Sequence, residues 1–134
     1  MINVALFGLG RIGQMHGENL YAHKKFNLKY TFDIDKNLSK KISNRFNAIS
    51  IDNPKSAFQD KNIDVVFITS STPTHINLIN EATKYKKVVF CEKPLDLDIK
   101  KVNICKKNIK KFNPKIQLGF NRRYDPGHNS IKKD

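Results

Sequence analysis

The sequence predicts a doubly wound α/β fold, a parallel sheet with helices on both faces, in a single domain. Three observations carry this. Short, almost continuous apolar runs alternate with amphipathic segments from end to end. Parallel neighbours need crossover connections, and crossovers bury both faces of the sheet, so their strands lose the in-out alternation of a half-exposed sheet. The first apolar run passes directly into a glycine turn and then a helical stretch, as such a sheet requires at its ligand-binding end. Finally, 134 residues with 39% hydrophobic and 28% charged side chains suit one core and leave no room for a second full domain.

Taken in order, "INVALF" is a short apolar strand, "GLGRIG" the glycine turn and "IGQMHGENLYAHKK" a helix. "LKYTFDID" is a second strand ending in acids, and "KNLSKKISNRF" a helix with its apolar residues on one face. "AISI" is a brief third strand, followed by a helical piece at "PKSAFQD", where proline suits a first turn. "IDVVFITS" makes a fourth strand, "TPTHINLINEATKY" a helix, "KVVFCE" a fifth strand, "LDIKKVNICKKNIKKF" a helix and "KIQLGF" a sixth strand. From Tyr124 onward, proline, glycine and lysines predict a poorly ordered tail.

Composition excludes several function classes. No stretch is long enough to span a membrane, and the short run Ile2 to Phe7 leads into glycines instead of a cleavage site, so it is not read as a signal peptide. Cys91 and Cys105 lack any CxxC or Cys/His spacing, which argues against a metal site and suits a reducing, cytoplasmic setting. The formal charge of +13 raises a nucleic-acid partner, because basic faces attract phosphate backbones. The excess is nearly all lysine, however, spread along the chain, and the densest run, "KKVNICKKNIKK", is an amphipathic helix with a solvated face and no aromatic platform. No nucleic-acid partner is expected.

Three motifs carry chemistry. In Gly8-Leu9-Gly10-Arg11-Ile12-Gly13, Gly8 permits the tight turn, Gly10 lets a pyrophosphate approach the backbone, and Gly13 lets the helix close on the strand. Asp33, 20 residues after Gly13, ends the second strand where a carboxylate can accept hydrogen bonds from an adenosine ribose; the bland alternative is an aspartate that merely caps. In "ITSSTPTHINL", Ser71 or Thr72 can cap the following helix and Pro73 suits its first turn, while His75 is either a packing residue or part of a ligand crevice. That crevice is expected between strands one and four, where the sheet reverses its order. The third motif, "VVFCEKPLDL", carries Lys93 to the carboxyl end of strand five, with Pro94 ending the ladder. A lysine there could hydrogen-bond a substrate hydroxyl and relay its proton; alone, it would be a surface lysine in a loop.

Together, "GLGRIGQMH", Asp33, "TPTHINLINEA", "FCEKPLDL" and "GFNRRYDP", in this order, resemble the glucose-fructose oxidoreductase and inositol dehydrogenase family, Gfo/Idh/MocA, from Ile2 to about Pro126. The likeness is strongest to inositol 2-dehydrogenases. It implies a Rossmann-type domain and an NAD-dependent oxidoreductase moving hydride between NAD and a polyol or sugar hydroxyl carbon. Gly8, Gly10, Arg11, Ile12 and Gly13 would hold the pyrophosphate, and Asp33 the ribose. Ser70, Thr72 and His75 would line the cofactor groove. Lys93 would be the catalytic residue, with Glu92 and Pro94 fixing its position across a cis Lys-Pro bond, and Asn121 and Arg122 would stand near the nicotinamide. Asp33 and Asp35, with only Lys36 nearby, favour NAD over NADP.

One departure from the family is expected to matter. Its members continue into a second α/β domain that closes the substrate site, supplies further catalytic side chains and forms the oligomer interface. Residues 1–123 are accordingly read as the dinucleotide-binding domain, and 124–134 as a tail leading into the part this sequence lacks. The chain is then the cofactor-binding half of an enzyme, inactive alone. A non-catalytic dinucleotide-binding module acting through a partner is the alternative. Substrate identity, oligomeric state and the reason for the short length stay open.

Overall fold

The computed structural model describes residues 1–131. Six strands form one parallel sheet: β1 (Ile2–Phe7), β2 (Phe26–Phe32), β3 (Ile49–Ser50), β4 (Val65–Ile68), β5 (Val88–Cys91) and β6 (Ile116–Leu118). Their order is β3-β2-β1-β4-β5-β6. The chain builds outward from β1 in one direction and then, from β4, in the other. The reversal lies between β1 and β4, as the sequence predicts.

Helices α1 (Arg11–Ala22), α2 (Lys36–Arg45), α3 (Pro54–Gln59), α4 (His75–Lys84) and α5 (Ile99–Ile109) make the crossovers. Alternate residues of β1 serve opposite layers. Val4 and Leu6 join Leu20, Leu28, Ile42 and Phe46 in one core cluster. Ala5 and Phe7 join Val66, Ile68, Ile79, Val89 and Cys91 in the other. A strand covered on both faces can afford no polar side, which is why these strands read as unbroken apolar runs. Cys91 and Cys105 are free and buried, and burial pushes the Cys91 thiol up to about 12.

Local chemistry starts most helices. The Asp35 carboxylate accepts from the Asn37 and Leu38 amides, Asn53 from Lys55, and Asp98 from Lys100. Helix α4 departs from expectation. A 3-10 turn over Thr72–Thr74 precedes it, and neither Ser71 nor Thr72 caps with its side chain. The Thr74 hydroxyl instead donates to the Ser71 carbonyl at 2.7 Å and meets the Ser70 hydroxyl. Helix α1 ends at Ala22, three residues short of the predicted end, because His23 is already extended.

The region expected to be a poorly ordered tail is partly regular. A 3-10 turn covers Asn121–Tyr124, and a short exposed helix, α6, covers Pro126–Ile131. Pro126 suits a helix's first turn, and the Asp125 carboxylate accepts from the His128 amide at 3.1 Å. Residues 132–134, part of the predicted tail, lie outside the described residues. Among the described residues, no helix is long and apolar enough to cross a membrane.

Candidate functional site

The loops leaving β1 and β4 meet above the point of reversal. Gly8 has φ of 86°, and a Cβ there would stand 2.3 Å from the Ser70 nitrogen. Gly13, the third residue of α1, is pressed onto the same turn: its Cβ would stand 1.9 Å from the Gly8 carbonyl oxygen. The Thr69 hydroxyl donates to that carbonyl at 2.7 Å. Only glycine satisfies these two positions. Gly10 differs, because a Cβ there would meet nothing within 4 Å. Its freedom faces outward, into space that an incoming backbone-bound group can fill.

Asp33, just beyond β2, braces this turn. One carboxylate oxygen accepts from the Leu9 amide at 2.7 Å and the other from the Asp35 amide at 2.9 Å. The structural role weighed for this residue is therefore present, and each oxygen keeps further lone pairs for a ligand.

Two cavities open on the crevice. One, of about 630 Å³, runs along Gly8, Gly10, Arg11, Asp33 and the exposed Ile34. The other, of about 470 Å³, is lined by His16, His75, Glu92, Lys93 and Asn121. Ile12, Thr69 and Ser70 line both, so the two are halves of one groove, large enough together for a dinucleotide. A glycine turn at a helix N-terminus, open at Gly10, fits a pyrophosphate.

The fourteen residues singled out from sequence are thus distributed unevenly. Gly8, Gly10, Arg11, Ile12 and Asp33 line the first half, and Ser70 stands at the junction. Thr72, His75, Glu92, Lys93 and Asn121 line the second half. Gly13 is buried behind the turn. Pro94 faces a separate groove beside Leu95 and Phe120, and the Lys93–Pro94 bond is cis. Arg122 is exposed in the turn after β6 and lines neither cavity, unlike its neighbour Asn121.

The floor of the second half holds a pair that sequence reasoning missed. His16 Nε2 lies 2.8 Å from Glu92 Oε1, across 76 positions of sequence. The His16 ring packs edge-on against Phe90 and Phe67, with centroids 5.0 and 5.9 Å away. The other Glu92 oxygen accepts from the Lys93 amide at 3.2 Å. Gly119 closes on this carboxylate so tightly that a Cβ would stand 2.9 Å from it. Glu92 is thereby fixed from three sides, and the exposed Lys93 follows it directly in sequence. Ile12 and His16 stand four apart on α1, so a shared face toward the crevice was the available signal. Among the described residues, no group of three or more His, Cys, Asp or Glu could hold a metal.

A family model described as an oxidoreductase family with an NAD-binding Rossmann fold matches residues 2–120. The myo-inositol 2-dehydrogenase of Thermotoga maritima is 33% identical over 133 residues, covering 98% of this chain and 40% of that protein. The crystal structure of a myo-inositol dehydrogenase from Corynebacterium glutamicum superposes with a TM-score of 0.91 at 36% identity, over 99% of this chain and 40% of that one. That of Lactobacillus casei myo-inositol dehydrogenase, in complex with NAD(H) and myo-inositol, gives 0.92 at 28% identity, with the same shares covered. The chain therefore spans about 40% of the length of the relatives it matches.

Proposed function

Because the chain belongs to the Gfo/Idh/MocA oxidoreductase family and is its NAD-binding Rossmann domain, we propose that it serves as the cofactor-binding part of an inositol 2-dehydrogenase-like enzyme acting on a polyol or sugar hydroxyl. The observation that carries this reading is the shared groove. Lys93 lines the half that continues, through Ile12, Thr69 and Ser70, from the glycine turn and Asp33.

When bound, the nicotinamide supplies the hydride acceptor. Gly8 to Gly13 present backbone amides and a helix N-terminus to the pyrophosphate. Asp33 accepts from the ribose hydroxyls while holding the Leu9 amide. Lys93 orients the substrate hydroxyl and takes up its proton, and Glu92, held by His16 and crowded by Gly119, sets the direction from which the lysine starts. Residues 1–123 form the dinucleotide-binding unit, and the buried free cysteines suit a reducing cytoplasm. Lys93 is exposed, so these residues alone do not exclude water from the reacting atoms.

Calorimetric titration of the purified chain with NADH, beside an absorbance assay of nicotinamide reduction with myo-inositol, other polyols and sugars, tests the proposal. Binding of NADH is expected, and Lys93→Ala should leave it within about a few-fold while lowering any polyol turnover about a hundredfold. Failure to bind NADH, or turnover indifferent to Lys93→Ala, would refute it.

A further inference from the structure

We propose that Gln14 is a positioning residue for the phosphates of the cofactor: its side chain fixes the Leu9–Gly10 peptide of the glycine turn and so aims the Gly10 N–H. The peptides on either side have other partners. The Gly8 carbonyl accepts from the Thr69 hydroxyl at 2.7 Å and the Leu9 amide donates to Asp33 at 2.7 Å, so the Gly8–Leu9 peptide is held at both edges. The Gly10 carbonyl accepts from the Gln14 backbone amide at 2.9 Å, the first bond of the α1 ladder, which holds the Gly10–Arg11 peptide. The Leu9 carbonyl lies one residue too early for that ladder. Gln14 Nε2 donates to it at 2.9 Å, and among the described residues no other group does. A carbonyl oxygen only accepts, so the side-chain amide presents its nitrogen here.

The Leu9–Gly10 bond is trans, and its N–H therefore points opposite to its C=O. Holding the carbonyl against Gln14 turns the Gly10 N–H the other way, and among the described residues nothing accepts from it. Gly10 itself lines the groove, with open space where a Cβ would stand. Leu9 is fully buried, so the chain before this peptide is anchored, but the φ that follows belongs to a glycine and resists rotation little. The Gln14 side chain supplies the resistance. It sets one further amide in front of those that the first turn of α1 leaves free for an anion. The role toward phosphate rests on the function proposed above; the hold on the Leu9 carbonyl does not.

Gln14→Met keeps the length and the helix propensity of the side chain and removes the donor. NADH affinity should fall about tenfold by calorimetry, while adenosine, which has no phosphate, should bind within about twofold of the parent by NMR titration. In the unaltered, ligand-free chain the Gln14 side-chain N–H groups should exchange about tenfold more slowly than those of the exposed Gln59. The Gly10 amide signal should shift when NADH is added, and this response should be lost in Gln14→Met. Undiminished NADH affinity in the folded variant, equal weakening of NADH and adenosine, or Gln14 exchange as fast as that of Gln59 would overturn the proposal. Should the variant not fold, the side-chain exchange and the Gly10 response of the unaltered chain decide. An unaltered chain that ignores NADH refutes the proposed function and this role with it, whereas a parent that binds NADH no better than Gln14→Met refutes this inference alone.

Discussion

Replacing each motif glycine by alanine should separate folding from binding. At Gly13 the new Cβ would lie 1.9 Å from the Gly8 carbonyl oxygen, about 1.5 Å inside the lower edge of ordinary contact. That neighbour is backbone, so α1 must move off β1, and a loss of about 3 kcal/mol or more is expected. The unfolding midpoint should fall by roughly 10 °C. At Gly8 the collision with the Ser70 nitrogen adds to a left-handed φ of 86°, which itself costs an alanine about 1–2 kcal/mol. Gly10 has φ of −65° and open space around the added methyl, so Gly10→Ala should fold within about 1 kcal/mol of the parent. The methyl would stand in the cleft proposed for the pyrophosphate, and NADH affinity should drop tenfold or more, a difference of about 1.4 kcal/mol at the least. Thermal unfolding by circular dichroism with calorimetric NADH titration reads both quantities. The reasoning fails if Gly10→Ala unfolds as early as Gly13→Ala, or if it binds NADH as the parent does.

Asp33 and Asp35 set negative charge beside the proposed ribose site, so NADH should bind about tenfold or more tighter than NADPH; equal affinities in parallel fluorescence titrations would contradict this. The Asp60 carboxylate accepts from Lys29 at 2.7 Å, from the Asn62 amide at 2.8 Å and from Tyr30 at 2.9 Å, and chiefly the Lys29 ammonium holds it well below the usual carboxylate range. A group depressed in the folded state stabilises above its unfolded value and loses that contribution as pH falls. Stability should therefore decline below about pH 4, and Asp60→Asn should flatten that decline in urea titrations; parallel acid slopes would refute it. Thr31 is fully buried with a hydroxyl that has no partner among the described residues, so Thr31→Val should raise stability by about 1 kcal/mol in chemical denaturation, whereas a loss would show that the hydroxyl is satisfied.

The parallel sheet, its reversal between β1 and β4 and the position of the crevice were legible because they follow from local pattern. Apolar runs separated by amphipathic helices dictate a parallel sheet, and the glycine turn after β1 marks its reversal. Asp33 was legible as a groove residue but not as the brace of Leu9, because its partner is a backbone amide that carries no signature in sequence. The His16–Glu92 pair was hidden for a related reason: each side chain is ordinary in its own segment, and only the sheet order brings them together. Capping at Ser71 or Thr72 failed because proline in that stretch supports a 3-10 turn, which moves the start of α4 to His75. At the other end, Pro126 and Gly127 read as turn formers, yet Asp125 before Pro126 also spells a helix start, and that second meaning prevailed.

The brace at Asp33 bears on how cofactor preference could evolve or be redesigned. The residue proposed to repel a ribose phosphate also holds the Leu9 amide, so a substitution chosen only to admit NADP would slacken the turn proposed to cradle the pyrophosphate of either cofactor. On the proposed reading, specificity and loop rigidity are inherited together at one position. A variant library that exchanges Asp33 should keep a short oxygen acceptor there, serine or asparagine before alanine or arginine, and gather its new cations from the positions that follow, beginning with Ile34, whose 91% exposure leaves it free to change.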